Sequence, residues 1–310
     1  MPPRNPKAKR SPAVTARAQL DALRALAGDP DAQASLAVTY VEESKDLDVL
    51  RPALDVLSAQ ADPSLRPVLH TKYAWCEQSP ERHDSGGFIR AAIIRALQPI
   101  INDDDLPLLQ RALLSYGWVG MYEVCAEVRA AALNALADLD PDLSSFYAAR
   151  FLRDPHNSNS GEPALSAVRL LAAQGQLAPL FGYAAFPPAS GETPAWLQST
   201  SDITAEALRN LANLPASLVP LLIKEYVKSE DEQILLGLYD LLLAHPARAQ
   251  WRYVIEDFLR STRLMDLYAL VVTQIVVTRD DTLITMLREM AAEERDRVRY
   301  ELLQHALEHA

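Results

Sequence analysis

Residues 84–97 read DSGGFIRAAIIRAL, and residues 123–136 read EVCAEVRAAALNAL. Laid one over the other, both stretches open on an acid, continue to an apolar residue followed by arginine, and run through small and apolar positions to a final leucine. Ala, Leu and Arg lose little on entering a helix, and apolar positions recur every three or four residues, so each stretch is read as an amphipathic helix. Val128, Ala132, Ala135, Leu136 and Leu139 make one such stripe; Val298, Leu302, Leu303, Ala306 and Leu307 make another.

The pattern repeats on both sides. Every second predicted helix ends in a similar pattern of Leu or Val with a small residue: Leu57, Leu97, Leu136, Leu171, Leu211, Leu243, Val276 and Leu307, at intervals of 31–40 residues. Two helices per period of that length is the sign of an α-solenoid, whose units bury their faces on their neighbours. Helices are predicted at 15–27, 31–43, 46–60, 63–77, 86–99, 103–116, 125–139, 142–153, 161–174 and 176–185, and again at 202–213, 216–228, 231–244, 247–260, 264–277, 281–292 and 294–309. Asp62-Pro63, Asp140-Pro141, Leu214-Pro215 and His245-Pro246 mark helix starts, where proline's missing N–H costs nothing. No stretch alternates with a period of two, so no strand is predicted. The expected fold is all-α, an α-α superhelix of about 16–17 helices in about eight pairs. It forms a single body over residues 14–310, after a disordered, basic, Pro-rich tail at 1–13.

These stretches resemble HEAT repeats, including the shorter HEAT-like units of phycobilisome lyases. Asp84 with Ile89-Arg90-Ala91-Ala92, Glu123 with Val128-Arg129-Ala130-Ala131-Ala132, and Glu293 before Val298-Arg299 carry the resemblance. Asp202 leads instead to Leu208, and the 231–244 and 264–277 helices lack the arginine. The resemblance spans residues 30–309 and is strongest in the middle. It implies that acid and arginine pair between adjacent units, a structural ladder of Asp84, Arg90, Glu123, Arg129, Glu293 and Arg299. The residues themselves point the same way. A buried guanidinium that loses its carboxylate costs about 3–5 kcal/mol, so Arg90 and Arg129 read as structural rather than anion-binding.

The chain has 310 residues, 49% of them hydrophobic and only 10 of them glycine. Its net charge is −11, yet residues 1–20 carry Arg4, Lys7, Lys9, Arg10 and Arg17 and no acid. The acidic remainder argues against nucleic acid as a partner, because phosphate backbones reward Lys and Arg. Cys76 and Cys125 offer no disulfide framework and no C-x-x-C motif. No apolar core follows the basic N-terminus and no run is long enough to span a membrane, so a cytoplasmic protein of a bacterium-like cell is expected.

Four turns within the predicted helix pairs are enlarged, at 78–86, 117–124, 155–161 and 186–201, whereas those near 229–231, 261–263 and 293–294 are tight. Equivalent turns of a solenoid project along one edge, and long loops in compact repeats tend to carry function. The candidate partner-binding residues there are His83, Trp118, Tyr122, His156, Asn157 and Trp196, alongside Gly86, Gly87, Met121 and Asn159. Trp196 is either an anchor tying its loop to the body or an exposed contact. Trp118, between Gly117 and Gly120, is the better candidate for exposure. The bland alternative is that the enlarged loops are insertions without a role.

No catalytic, cofactor or metal site is predicted. The six histidines include no His-Glu dipeptide and no H-E-x-x-H, which counts against resemblance to deoxyhypusine hydroxylase, a HEAT-repeat di-iron enzyme. His305 and His309, four apart, or His83-Asp84 with His156 could share a metal but lack a third ligand. Phosphate-loop, dinucleotide and nucleophile-elbow patterns are missing. Asp103-Asp104-Asp105 opens a predicted helix and reads as capping. The function expected is therefore a non-catalytic scaffold or adaptor that binds another protein through its surface. The alternatives are a DNA-binding protein resembling the HEAT-like alkylpurine DNA glycosylases, or a bilin-lyase-like assembly factor. Oligomeric state is not legible.

Overall fold

The computed structural model describes residues 12–157, 160–186 and 199–309. These divide into two compact units, with the division inside a helix after Tyr147 and a short return of 155–158 to the first unit.

The first unit holds α1 (Pro12–Ala25), α2 (Pro30–Glu43), α3 (Leu47–Ser58), α4 (Arg66–Gln78), the single turn α5 (Pro80–His83), α6 (Phe88–Leu97), α7 (Leu106–Leu113) and α8 (Ala126–Leu139). Helix α9 (Pro141–Phe151) carries the chain across the division. Within the unit α3 packs on α6 and α6 on α8, while α2 packs on α4 and α7 on α8. The α6 and α8 helices are buried almost all round, and their alanines let neighbours approach closely. Gly87, at φ 70°, sits where a Cβ would fall 2.8 Å from Val128 Cγ2, so only glycine fits between the start of α6 and α8.

The second unit holds α10 (Ala164–Ala173), α11 (Leu177–Ala185), α12 (Ser199–Arg209), α13 (Val219–Tyr226), α14 (Glu232–Ala244), α15 (Arg252–Ser261), α16 (Met265–Thr278), α17 (Asp281–Glu293) and α18 (Arg297–Leu307). Here too helices pack on the next but one: α10 on α12, α12 on α14, α14 on α16 and α16 on α18, with α11 on α13 and α15 on α17. At Gly237 in α14 a Cβ would lie 2.6 Å from the Ala205 carbonyl oxygen of α12, so the two backbones approach closely there.

Aspartates explain where many helices begin. The carboxylates of Asp29, Asp46, Asp231, Asp280 and Asp296 each accept backbone N–H groups of the helix they precede. Those groups have no partner inside the helix, and the carboxylate also meets the positive end of its dipole. Part of the chain's negative charge therefore serves the helices.

The structure differs from the sequence reading in several places. Residues 118–123 form a small antiparallel hairpin, β1 (Trp118–Val119) and β2 (Tyr122–Glu123), where no strand was expected. Gly120, at φ 61°, supplies the reversal that a two-residue connection needs, and a strand of two residues is too short to display alternation. Helices expected from 63 and 103 begin as 3-10 turns at Pro63–Leu65 and Asp103–Asp105 before turning α-helical. The helix expected from 216 starts at Val219. The tail expected at 1–13 is shorter by two residues, because Pro12 and Ala13 open α1, where proline is tolerated in the first turn. Residues 1–11, most of the 186–201 loop and Asn159 lie outside the described residues.

Candidate functional site

The sequence singled out Asp84 and Arg90, and both are buried. Asp84 accepts the backbone N–H of Ile89 at 2.8 Å and of Arg90 at 3.1 Å, and its Oδ2 takes the Arg90 Nε–H at 2.9 Å. One carboxylate thus caps α6 and anchors its arginine. Arg90 also donates from Nη2 to Cys125 Sγ at 3.3 Å. Burial works against the Arg90 charge, but the Asp84 hydrogen bond and nearby groups outweigh it, holding the guanidinium above its ordinary pKa. Burial pushes both thiols up: Cys125 rises, and Cys76, with the Asp84 charge adding, reaches about 12.

At Glu123 and Arg129 the same spacing builds a larger node. Glu123 Oε1 accepts the N–H groups of Gly117 and Cys125 at 3.1 and 2.8 Å, closing the base of the hairpin. Its Oε2 takes Arg129 Nη2 at 3.0 Å. Arg129, with 0% of its surface exposed, also donates to the carbonyls of Ser115 (2.9 Å) and His156 (3.0 Å) and lies 4.2 Å from the centroid of the Tyr116 ring. A single buried guanidinium therefore ties together the end of α7, the hairpin and the 155–157 segment.

The third pair is not formed. Glu293 is exposed and bonds Arg260 at 3.2 Å, while Arg299 donates to the carbonyls of Leu259 (3.1 Å), Arg260 (3.2 Å) and Thr262 at the end of α15. Nor does the pairing run between neighbouring helix units, because the acid of each formed pair lies in the turn that opens the arginine's own helix. Other residues link alternate helices: Arg95–Glu127 at 2.9 Å in the first unit, and Arg169–Glu206, Arg209–Asp240 and Gln274–Asp240 along the second.

Above the Glu123–Arg129 node the hairpin tip stands in solvent. Trp118 is 54% exposed, Tyr122 66% and Met121 85%, with Val119 also exposed. His156 meets Trp118 edge-on at 5.0 Å and Tyr116 at 5.9 Å. Asn157 follows it, half-buried. A cleft of about 860 Å³ lies beside the hairpin, with Tyr116, Trp118 and Val119 on one side, Pro80 and Arg82 on the other, and Arg90 and Cys125 among its lining. The 78–86 and 117–124 loops thus border one cleft, and His156 joins them. His83 is turned elsewhere: its ring stacks on Trp75 at 3.9 Å and its Nδ1 lies 2.7 Å from the Trp75 carbonyl. Trp196 lies outside the described residues.

Sequence reasoning missed Tyr116 and Arg82. Tyr116 precedes Gly117, where the enlarged loop is expected to start, and only the fold sets it over Arg129. The turn at Asp103–Asp105 is capped by Asn102, and of the three acids Asp105 completes the capping box. Asp105 is wholly buried, takes the Asn102 N–H at 2.9 Å and His70 Nε2 at 2.6 Å, and pairs its charge with Arg66, whose Nε is 3.3 Å away. His305 and His309 meet edge-on at 5.4 Å beside an apolar groove. Among the described residues no three His, Cys, Asp or Glu side chains stand together as metal ligands would, and no helix is long and apolar enough to cross a membrane.

No protein-family model, curated protein or solved structure matches the chain.

Proposed function

We propose that the chain is a HEAT-like α-solenoid serving as a non-catalytic scaffold, and that it holds another protein at the hairpin of residues 118–123 and the adjoining cleft. The solenoid reading is supported by next-but-one helix packing within each unit and by the 31–40-residue period. One observation carries the functional reading: Trp118, Met121 and Tyr122 stand in solvent on a ribbon whose base is fixed by the buried Glu123–Arg129 pair. Exposed aromatics normally cost solubility. Held rigidly, they lose little entropy on docking, which is how aromatic residues come to dominate interface energetics, at about 2 kcal/mol or more each.

The test compares the chain with a Trp118→Ala/Met121→Ala/Tyr122→Ala variant as baits for cross-linking and mass spectrometry. A partner captured by the first and reduced at least ~30-fold with the second, at unchanged thermal stability, is the expected result. Equal capture by both baits, or binding of duplex DNA at low salt through this hairpin, would overturn it.

A further inference from the structure

Residues 1–11, MPPRNPKAKRS, lie outside the described structure and carry Arg4, Lys7, Lys9 and Arg10 with no acid. They enter the fold at Pro12, the first residue of α1. The α1 and α2 helices are each 14 residues long and joined by a four-residue turn, where Gln33 Nε2 donates to the Leu23 carbonyl at 3.0 Å. Pro12 and Glu43 are therefore the ends of the two helices away from that turn. Helix α1 packs on both α2 and α3, which sets its Pro12 end toward the turn joining those two, and eleven extended residues reach about 36 Å beyond it.

At that end a groove of about 370 Å³ opens between the α2–α3 turn and α4. Pro67, Val68 and Trp75 give it an apolar lining, and Glu42, Glu43 and Lys45 stand exposed at its rim. The turn, residues 42–48, reads EESKDLD: four acids against Lys45. Asp46 caps α3, and none of the four acids forms an ion pair among the described residues. Lys72 also borders the groove, but it is buried, donating to the Glu42 and Ser44 carbonyls and standing 4.8 Å from the Trp75 centroid. Its charge meets the carbonyl end of α2, and Lys45 is left as the exposed cation of the turn.

We infer that residues 1–11 dock in this groove of their own chain. Proline's fixed φ favours extended backbone, so a segment that contains Pro2, Pro3 and Pro6 has little freedom to lose on settling against Pro67, Val68 and Trp75, as Pro-rich segments do in aromatic-lined grooves. Its four cations are opposite in sign to the turn, whose net charge is −3, an attraction that salt will weaken.

The test uses the full chain. Isotope-labelled and unlabelled chains are mixed in equal amounts and treated with a carbodiimide, which joins amines to carboxylates in direct contact, and the products are read by mass spectrometry. Lys7 or Lys9 joined to Glu42, Glu43, Asp46 or Asp48 of the same isotopic chain is expected, with yields falling about fivefold in about 0.5 M salt. A Glu42→Gln/Glu43→Gln variant should lose links to 42 and 43 and lower those to 46 and 48 by a similar factor. Links of Lys7 and Lys9 spread over other acids, links only between different chains, or yields insensitive to salt and to the variant would each overturn the inference.

Discussion

The turn that opens α8 and the turn that opens α18 carry the same sequence signal, an acid followed five and six residues later by valine and arginine, yet they fold differently. At Glu123 the acid lies inside, closes a hairpin and holds a fully buried guanidinium. At Glu293 it faces solvent and leaves Arg299 to backbone carbonyls, while Asp296 takes over the cap of α18. What the two arginines share is the other half of their bonding. Arg129 meets the Ser115 carbonyl just after α7, and Arg299 meets the carbonyls that end α15. Lys72 does the same for α2, and Arg153 for α11 through Gly182 and Phe186. A cation set against the carbonyl end of a neighbouring helix satisfies groups the helix cannot, and meets the negative end of its dipole. The carboxylate is an addition that lets such a cation go fully inside.

That comparison can be broken by measurement. The largest effect is expected for Arg129→Ala, which strands the buried Glu123 charge and releases two loop carbonyls: about 3–5 kcal/mol of stability by chemical denaturation. A loss below about 1 kcal/mol would erase the distinction between the two arginines. Glu123→Gln keeps an acceptor for Gly117 and Cys125 but removes the charge facing Arg129, so about 2 kcal/mol is expected. Arg299→Ala, taking away half-exposed hydrogen bonds and no buried pair, should cost about 1 kcal/mol and speed amide exchange at the end of α15. Glu293→Gln should fall within about 0.5 kcal/mol of the unmodified chain, since its partner is a surface arginine. If Glu293→Gln proved as costly as Glu123→Gln, the third pair would belong with the first two after all.

The helices were legible because burial stripes of period 3.6 are long and redundant; α8 alone offers Val128, Ala132, Ala135 and Leu136. The importance of Arg90 and Arg129 was legible too, because an arginine among alanines has to find a charge. Its partners were less so. The spacing of acid and arginine is identical at residues 123 and 293, and what separates them is the loop: Gly117 and Gly120 allow a ribbon that brings Glu123 inward, whereas the turn before α18 is short and offers Asp296 as a competing cap. Tyr116 and His156 could not be joined from sequence, since 40 residues separate them and a buried guanidinium provides the link. The gathering of Trp118 with His156 follows from that same bond.

The ribbon at residues 118–123 is fastened at its root, through Glu123 and the Gly117 amide, while Val119, Met121 and Tyr122 extend beyond the fastening. Those three positions are released from the work of folding, so drift in their identity would retune what is recognised without eroding the body beneath. For an engineer they form a ready grafting platform, a place to randomise side chains on a scaffold that stays put.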